Sequence, residues 1–174
     1  PSATLAVTDG TSGANGWYTS NVTVETAGTD TISGPVSCTS TQSQTSETTG
    51  HEFNGSCTNQ AGLVRTASPL VVKLDKTAPT ATLTASGTQG ANGWFLDDVT
   101  VKTSGADTIS GPVTCTPDQT QATETAGQTF NGSCANQAGL IGNAVSLVVK
   151  LDEMLLRPPV DLGVVDAVAG AWRG

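Results

Sequence analysis

Apolar and polar residues alternate in short runs along most of the chain. Ala3-Thr-Leu-Ala-Val7, Val22-Thr-Val24, Val36-Ser-Cys38, Phe53 to Thr58 and Ser68 to Leu74 each carry a period near two. That period sends alternate side chains to one buried face, so each run predicts a short strand. Asn54-Gly55 interrupts the fourth run and predicts a bulge or a tight turn. The polar stretch Thr41 to Gly50 has little apolar alternation and reads as an edge strand or a loop. Asp9 to Gly16 is rich in turn residues, whose side chains and backbone freedom suit chain reversal. Six or seven short strands with Gly-rich turns predict a β-sandwich, with Greek-key wiring favoured.

The whole pattern then occurs a second time. Gly13-Ala-Asn-Gly-Trp-Tyr18 matches Gly90-Ala-Asn-Gly-Trp-Phe95, and Asp30-Thr-Ile-Ser-Gly-Pro-Val36 matches Asp107 to Val113. Phe53-Asn-Gly-Ser-Cys57 matches Phe130 to Cys134, and Leu70-Val-Val-Lys-Leu-Asp75 matches Leu147 to Asp152. The offset is a constant 77 from Trp17 (17 to 94) to Asp75 (75 to 152), with a one-residue slip before the Trp. A period of that length is too long for a solenoid unit and long enough for a small folded domain. The reading is therefore all-β: a module over 1–77, a second over 78–152 and a C-terminal tail over 153–174. The join, Leu74-Asp-Lys-Thr-Ala-Pro79, is short and polar. Pro79 fixes its own φ and biases Ala78 toward extended backbone, so the linker is stiff.

Composition narrows the function. Hydrophobic residues are 36% of the chain and aromatics only 4%, which suits two lean cores better than one large one. The formal net charge is −8, from 7 Lys and Arg against 15 Asp and Glu. Phosphate contacts need clustered Lys and Arg, so a nucleic-acid partner is excluded. The charges are scattered, and they support solubility and weak cation association. No stretch reads as a signal peptide or is apolar enough to span a membrane.

Each repeat holds two cysteines 19 apart, Cys38 with Cys57 and Cys115 with Cys134. Four cysteines allow three pairings, and the repeat symmetry favours these two. A bridge closing such a loop contributes roughly 3 kcal/mol in the chain-entropy model, a large share of a small module's stability. A zinc site would need close Cys pairs or added His ligands, and the chain has one His. Two disulfides predict an extracellular or cell-surface location.

These residues carry a resemblance. Asn-Gly-Trp-Tyr/Phe, Asp-x-x-Ser-Gly, Cys, Ser-Cys-x-Asn-x-Ala-Gly and Leu-Asp-Lys-Thr-Ala-Pro-Thr, in that order, resemble bacterial immunoglobulin-like repeats of secreted and surface proteins. The resemblance covers residues 1 to about 152. It implies two tandem immunoglobulin-like β-sandwiches, each with one intradomain disulfide, serving as a stalk, spacer, adhesin or filament unit. After Asp152 the chain reads Glu153-Met-Leu-Leu-Arg-Pro-Pro159 where a further Lys-Thr-Ala-Pro would stand.

Candidate chemistry is sparse. Trp17 and Trp94, in matched loops, could stack on a glycan or anchor a receptor, or cover the ends of their own cores. Asp9, Asp30, Asp75, Asp97, Asp98, Asp107 and Asp152 offer oxygen ligands, but none has EF-hand spacing; no cofactor is expected, and Asp75 beside the linker is the preferred position if calcium binds. Asn21, Asn54 and Asn131 sit in glycosylation sequons that matter only in a glycosylating host. Lys73 and Lys150 end matched strands and could form Lys–Asn links, which the disulfides make redundant. His51 has Gln128 as its counterpart, no nucleophile elbow is present, and Glu25, Glu47, Glu52, Glu124 and Glu153 show no spacing that selects a catalytic pair. No enzyme is expected. In the tail, Val160, Val164, Val168 and Trp172 recur every fourth residue and predict one helical stripe, weakened by Gly163 and Gly170. That stripe suits a docking segment for a neighbouring subunit or domain. The reading is a structural module, self-associating or contacting neighbouring domains, with a glycan- or receptor-binding module as the alternative.

Overall fold

The computed structural model describes residues 1–153. The predicted tail contacts Val160, Val164, Val168 and Trp172 lie outside the described residues. The rest is all-β, and the two repeats use matching strands. The first comprises β1 (Thr4–Asp9), β2 (Trp17–Tyr18), β3 (Val22–Ala27), β4 (Ser37–Cys38), β5 (Gln42–Gln44), β6 (Thr48–Phe53), β7 (Ser56–Thr58), β8 (Val64–Thr66) and β9 (Leu70–Leu74). The second comprises β10 (Thr80–Ser86), β11 (Trp94–Phe95), β12 (Val99–Ala106), β13 (Thr114–Cys115), β14 (Gln119–Gln121), β15 (Thr125–Phe130), β16 (Ser133–Ala135), β17 (Ile141–Asn143) and β18 (Leu147–Leu151).

Each repeat has two layers. In the first, β1 and β5 flank β3 in one antiparallel sheet. The other layer is a long hairpin, β6–β7 against β8–β9. It breaks at Asn54-Gly55 and 67–69, where the Ala67 amide still donates to the Gly55 carbonyl at 2.9 Å. β4 pairs with β7 on one side of the hairpin, and β2 runs parallel to β9 on the other. The second repeat repeats this wiring strand for strand.

The alternating pattern explains the layers. Val22 and Val24 of β3, Phe53 of β6 and Val72 of β9 are at most 2% exposed and meet between the sheets, with Leu5, Val7, Tyr18 and Leu70 packed around them. In the second repeat Val99, Val101, Phe130, Val149, Leu151 and Phe95 form the equivalent core. Each fully buried Val, Leu or Phe contributes about 1.5–3 kcal/mol over its exposed state. Cys38 faces Cys57 across β4 and β7, and Cys115 faces Cys134; both pairs are bonded. Cys57 and Cys134 are fully buried. They press on Gly28 and Gly105, where a Cβ would fall 2.7 Å from the cysteine sulfur and also strike the first strand's backbone. A glycine there lets the bridge reach into the other layer.

The structure corrects two details of the alternation. Thr41 to Gly50, read as one edge strand or loop, splits into β5 and the start of β6. β2 and β8 were not predicted. β2 has two residues, and β8 is exposed throughout, so neither generates a periodic apolar face.

Candidate functional site

The residues that the sequence singled out as Asn-Gly-Trp, Asp-x-x-Ser-Gly and the linker converge where the repeats meet. The turn Gly13 to Trp17 is the first part. It closes by Gly13 N–H to the Trp17 carbonyl at 2.8 Å and Trp17 N–H to the Ala14 carbonyl at 2.9 Å. Asn15 and Gly16 take φ of 51° and 74°, left-handed backbone that Asn and Gly tolerate. Lys73, opposite Trp17 in the parallel β2–β9 pair, props the turn. Its ammonium donates to the Asn15 carbonyl at 2.8 Å and lies 5.1 Å from the Trp17 ring centroid. Trp17 is 7% exposed. The same Lys–Trp arrangement recurs at Lys150 and Trp94, where the Trp is half-buried.

The second part is a pocket of hydrogen-bonding groups on the facing end of repeat two. Asp107 accepts the amides of Ile109 (2.9 Å) and Ser110 (2.7 Å), folding that loop back on itself. Asn136 donates to Asp107 at 2.9 Å and accepts the Leu140 amide at 2.9 Å. Partial burial pushes the Asp107 carboxyl up, but these hydrogen bonds outweigh it and hold the group below the usual carboxylate range. The arrangement is preformed, because repeat one builds it too. There Asp30 accepts Ile32 and Ser33 amides and the Asn59 amide, and bonds the Pro1 amino group at 2.9 Å. The Ser33 amide and then the Asn59 side chain hold the Asp30 carboxyl well below its ordinary range.

Asp75 is the third part and joins the other two. It is fully buried. One carboxylate oxygen accepts the Ser110 hydroxyl and the Asn136 amide (3.0 Å), both from repeat two. The other accepts the Thr77 amide at 2.9 Å, turning the linker. Burying a carboxylate is costly unless donors surround it, and here three do. Glu47 caps the next residues, accepting Lys76 N–H at 2.8 Å and the Thr77 hydroxyl at 2.7 Å. Those bonds, the Thr77 hydroxyl first, lower the Glu47 carboxyl. Lys76 reaches Asn21 and the Thr45 carbonyl.

The turn of repeat one then touches repeat two directly. Ala14 N–H donates to the Ala138 carbonyl at 2.9 Å, and Asn15 donates to the Gln137 carbonyl at 2.9 Å. A Cβ on Gly13 would lie 2.5 Å from the Ala138 carbonyl oxygen, so a glycine permits this approach. Ala138 is 1% exposed and Ser110 fully buried. Sequence reasoning missed Asn136, Ser110 and Gln137 as joint residues. Their signal was present in the repeated Ser-Gly and Asn-Gln-Ala-Gly motifs, which read only as turns.

The other candidates lie apart. Asp9 and Asp97 accept nearby amides, from Gly10 and Thr88. The Asn54 side chain reaches Glu52 and that of Asn131 the Ser146 hydroxyl. Among the described residues no three His, Cys, Asp or Glu side chains are grouped to hold a metal, and no helix is long and apolar enough to cross a membrane. A recess of about 290 Å³ opens beside Trp94, lined by Glu124, Thr125, Ala126, Leu151 and Asp152.

No family model matches the chain, and no curated protein matches it. Among solved structures, fibronectin(III)-like modules of CbhA from Clostridium thermocellum are similar at a TM-score of 0.38 and 10% identity, over 87% of this chain and 96% of that one.

Proposed function

We propose that this chain is an extracellular structural module of a surface stalk, adhesin or filament, built of two immunoglobulin-like repeats held end to end. The observation that carries this reading is the joint. A carboxylate of one repeat is buried among donors of the next, an arrangement that fixes the relation of two small domains rather than leaving a loose tether. The disulfides suit an oxidising compartment, where such bonds persist. The division of β1 and β2 between two layers, with β2 parallel to the last strand, fits immunoglobulin-like repeats of the kind the sequence resembles. His51 packs edge-on against Phe53 with centroids 4.7 Å apart, as a strand residue would. The tail beyond Glu153 is, in this reading, a contact to a neighbouring subunit or domain.

Peptide mapping of the chain recovered from its native compartment, with thiols blocked at lysis, tests the reading. The expected result is quantitative Cys38–Cys57 and Cys115–Cys134 peptides. Recovery of four alkylated thiols would place the chain in a reducing compartment and contradict it.

A second reading, glycan or receptor binding by the Trp loops, draws support at Trp94, which is half-buried beside an open recess. Glycan quenching of tryptophan fluorescence that disappears in Trp94→Ala is its expected sign. Quenching unchanged by that substitution would remove it.

A further inference from the structure

The molecule contains both halves of its own joint a second time, unpaired. The plug that repeat one inserts consists of the Gly13 to Asn15 turn and Asp75. Repeat two carries the same parts at its far end, Gly90, Ala91, Asn92 and Asp152. That plug is already shaped: Asn92 and Gly93 take φ of 55° and 77°, and the Lys150 ammonium donates to the Asn92 carbonyl at 3.0 Å. Asp152 is exposed, whereas Asp75 is fully buried.

The socket is duplicated as well. Ser33, Asn59, Gln60 and Ala61 correspond to Ser110, Asn136, Gln137 and Ala138. Asn59 is held as Asn136 is, donating to Asp30 at 2.9 Å and accepting the Leu63 amide at 2.9 Å. Gln60 N–H donates to the Ser33 carbonyl at 2.9 Å, as Gln137 does to Ser110 at 2.7 Å. What differs is cover. Ile32 is 95% exposed while Ile109 is half-buried, and Ala61 is exposed while Ala138 is 1% exposed. Asn59 donates to the Ser33 hydroxyl oxygen at 2.7 Å, an oxygen whose counterpart in Ser110 serves Asp75. The single change in the linker, Glu153 for Lys76, alters a residue whose contacts stay within its own repeat.

We propose that the Ile32–Ser33–Asn59–Ala61 face binds the Gly90–Asn92 turn and Asp152 of a second copy of this chain, reproducing the internal joint between molecules. The contact is heterologous, because the two surfaces that meet are different. Such contacts propagate rather than close unless a rotation returns them to the start. Copies therefore add head to tail in an open array. This rests on the structural reading above and gives it a mode of assembly located in the repeats rather than in the tail.

Sedimentation velocity of the full chain over a wide concentration range tests the proposal. The expected result is a weight-average mass that rises steadily with concentration and reverses on dilution. Ile32→Asp blocks the socket at a residue that bears no packing load, and Asp152→Arg blocks the plug. Each variant alone should stay at the mass of one chain. Mixed in equal amounts they should form a species of two chains and nothing larger, since each keeps one working end. A parent chain at monomer mass throughout, or variants that associate as the parent does, would overturn the proposal. A monomeric parent with intact disulfides and a rigid internal joint would leave the structural reading standing.

Discussion

The two repeats share a core, a bridge and a wiring, and differ at their far ends. Repeat one ends against a neighbour: Asp75 is fully buried, Trp17 is 7% exposed, and Glu47 is capped onto the linker. Repeat two ends in the open, with Asp152 exposed and Trp94 half-buried. Hydrogen bonds from Thr77 and Lys76 lower the Glu47 carboxyl. At the equivalent place, Glu153 is raised, by burial first and then by Asp98, Glu124 and Asp97. The same motif is thus either an interior or a surface, and what decides is whether a second motif stands opposite it.

That comparison can be broken in graded ways. The largest effect is shared by both repeats. Removing either disulfide, by Cys38→Ala/Cys57→Ala or Cys115→Ala/Cys134→Ala, is expected to cost its repeat about 3 kcal/mol in urea unfolding. A loss confined to one repeat would show that the bridges are not equivalent. Next comes the joint. Asp75→Ala leaves Ser110 and Asn136 buried without their acceptor and is expected to cost about 1–3 kcal/mol, against under about 0.5 kcal/mol for Asp152→Ala. Equal effects would erase the distinction between the ends.

A smaller effect follows pH. A carboxyl lowered by folding adds stability that is present above its unfolded pKa and lost as pH falls through the folded one. Glu47, Asp30 and Asp107 are all lowered, so stability should decline as pH drops below about 4. Glu153, raised by folding, acts oppositely: the folded state loses ground as pH climbs through its ordinary range. Glu47→Gln should flatten the acid limb, while Glu153→Gln should not. The smallest effect tests the cores. Thr26 and Thr103 bury hydroxyls that have no hydrogen-bond partner. Thr26→Val and Thr103→Val should each be neutral or stabilise by under about 1 kcal/mol, because an unpaired buried hydroxyl is replaced by a methyl of the same shape.

The fold was legible where one face is buried. Val22, Val24, Val72 and their counterparts alternate, and their strands follow from that alternation. β8 escaped notice because all of Val64, Arg65 and Thr66 are exposed, so hydrogen bonds to β7 hold it with no apolar face. The disulfide pairs followed from repeat symmetry. The joint was only half legible. Pro79 and the short linker announced a stiff connection, and Asp75 stood out beside it. The partners of Asp75 did not, because Ser110 and Asn136 are ordinary turn residues until a carboxylate from 35 and 61 positions away reaches them. Polar interfaces of this kind leave no periodic trace, whereas hydrophobic cores do.

The central claim is that the buried Asp75 joint holds the two repeats in one fixed relation. Residual dipolar couplings of the backbone amides, measured in a weakly aligning medium, test it most directly. The account predicts that couplings from residues 1–74 and from residues 80–152 fit one alignment tensor in the parent chain, and two tensors of different magnitude in Asp75→Ala. Two different tensors in the parent chain would contradict it.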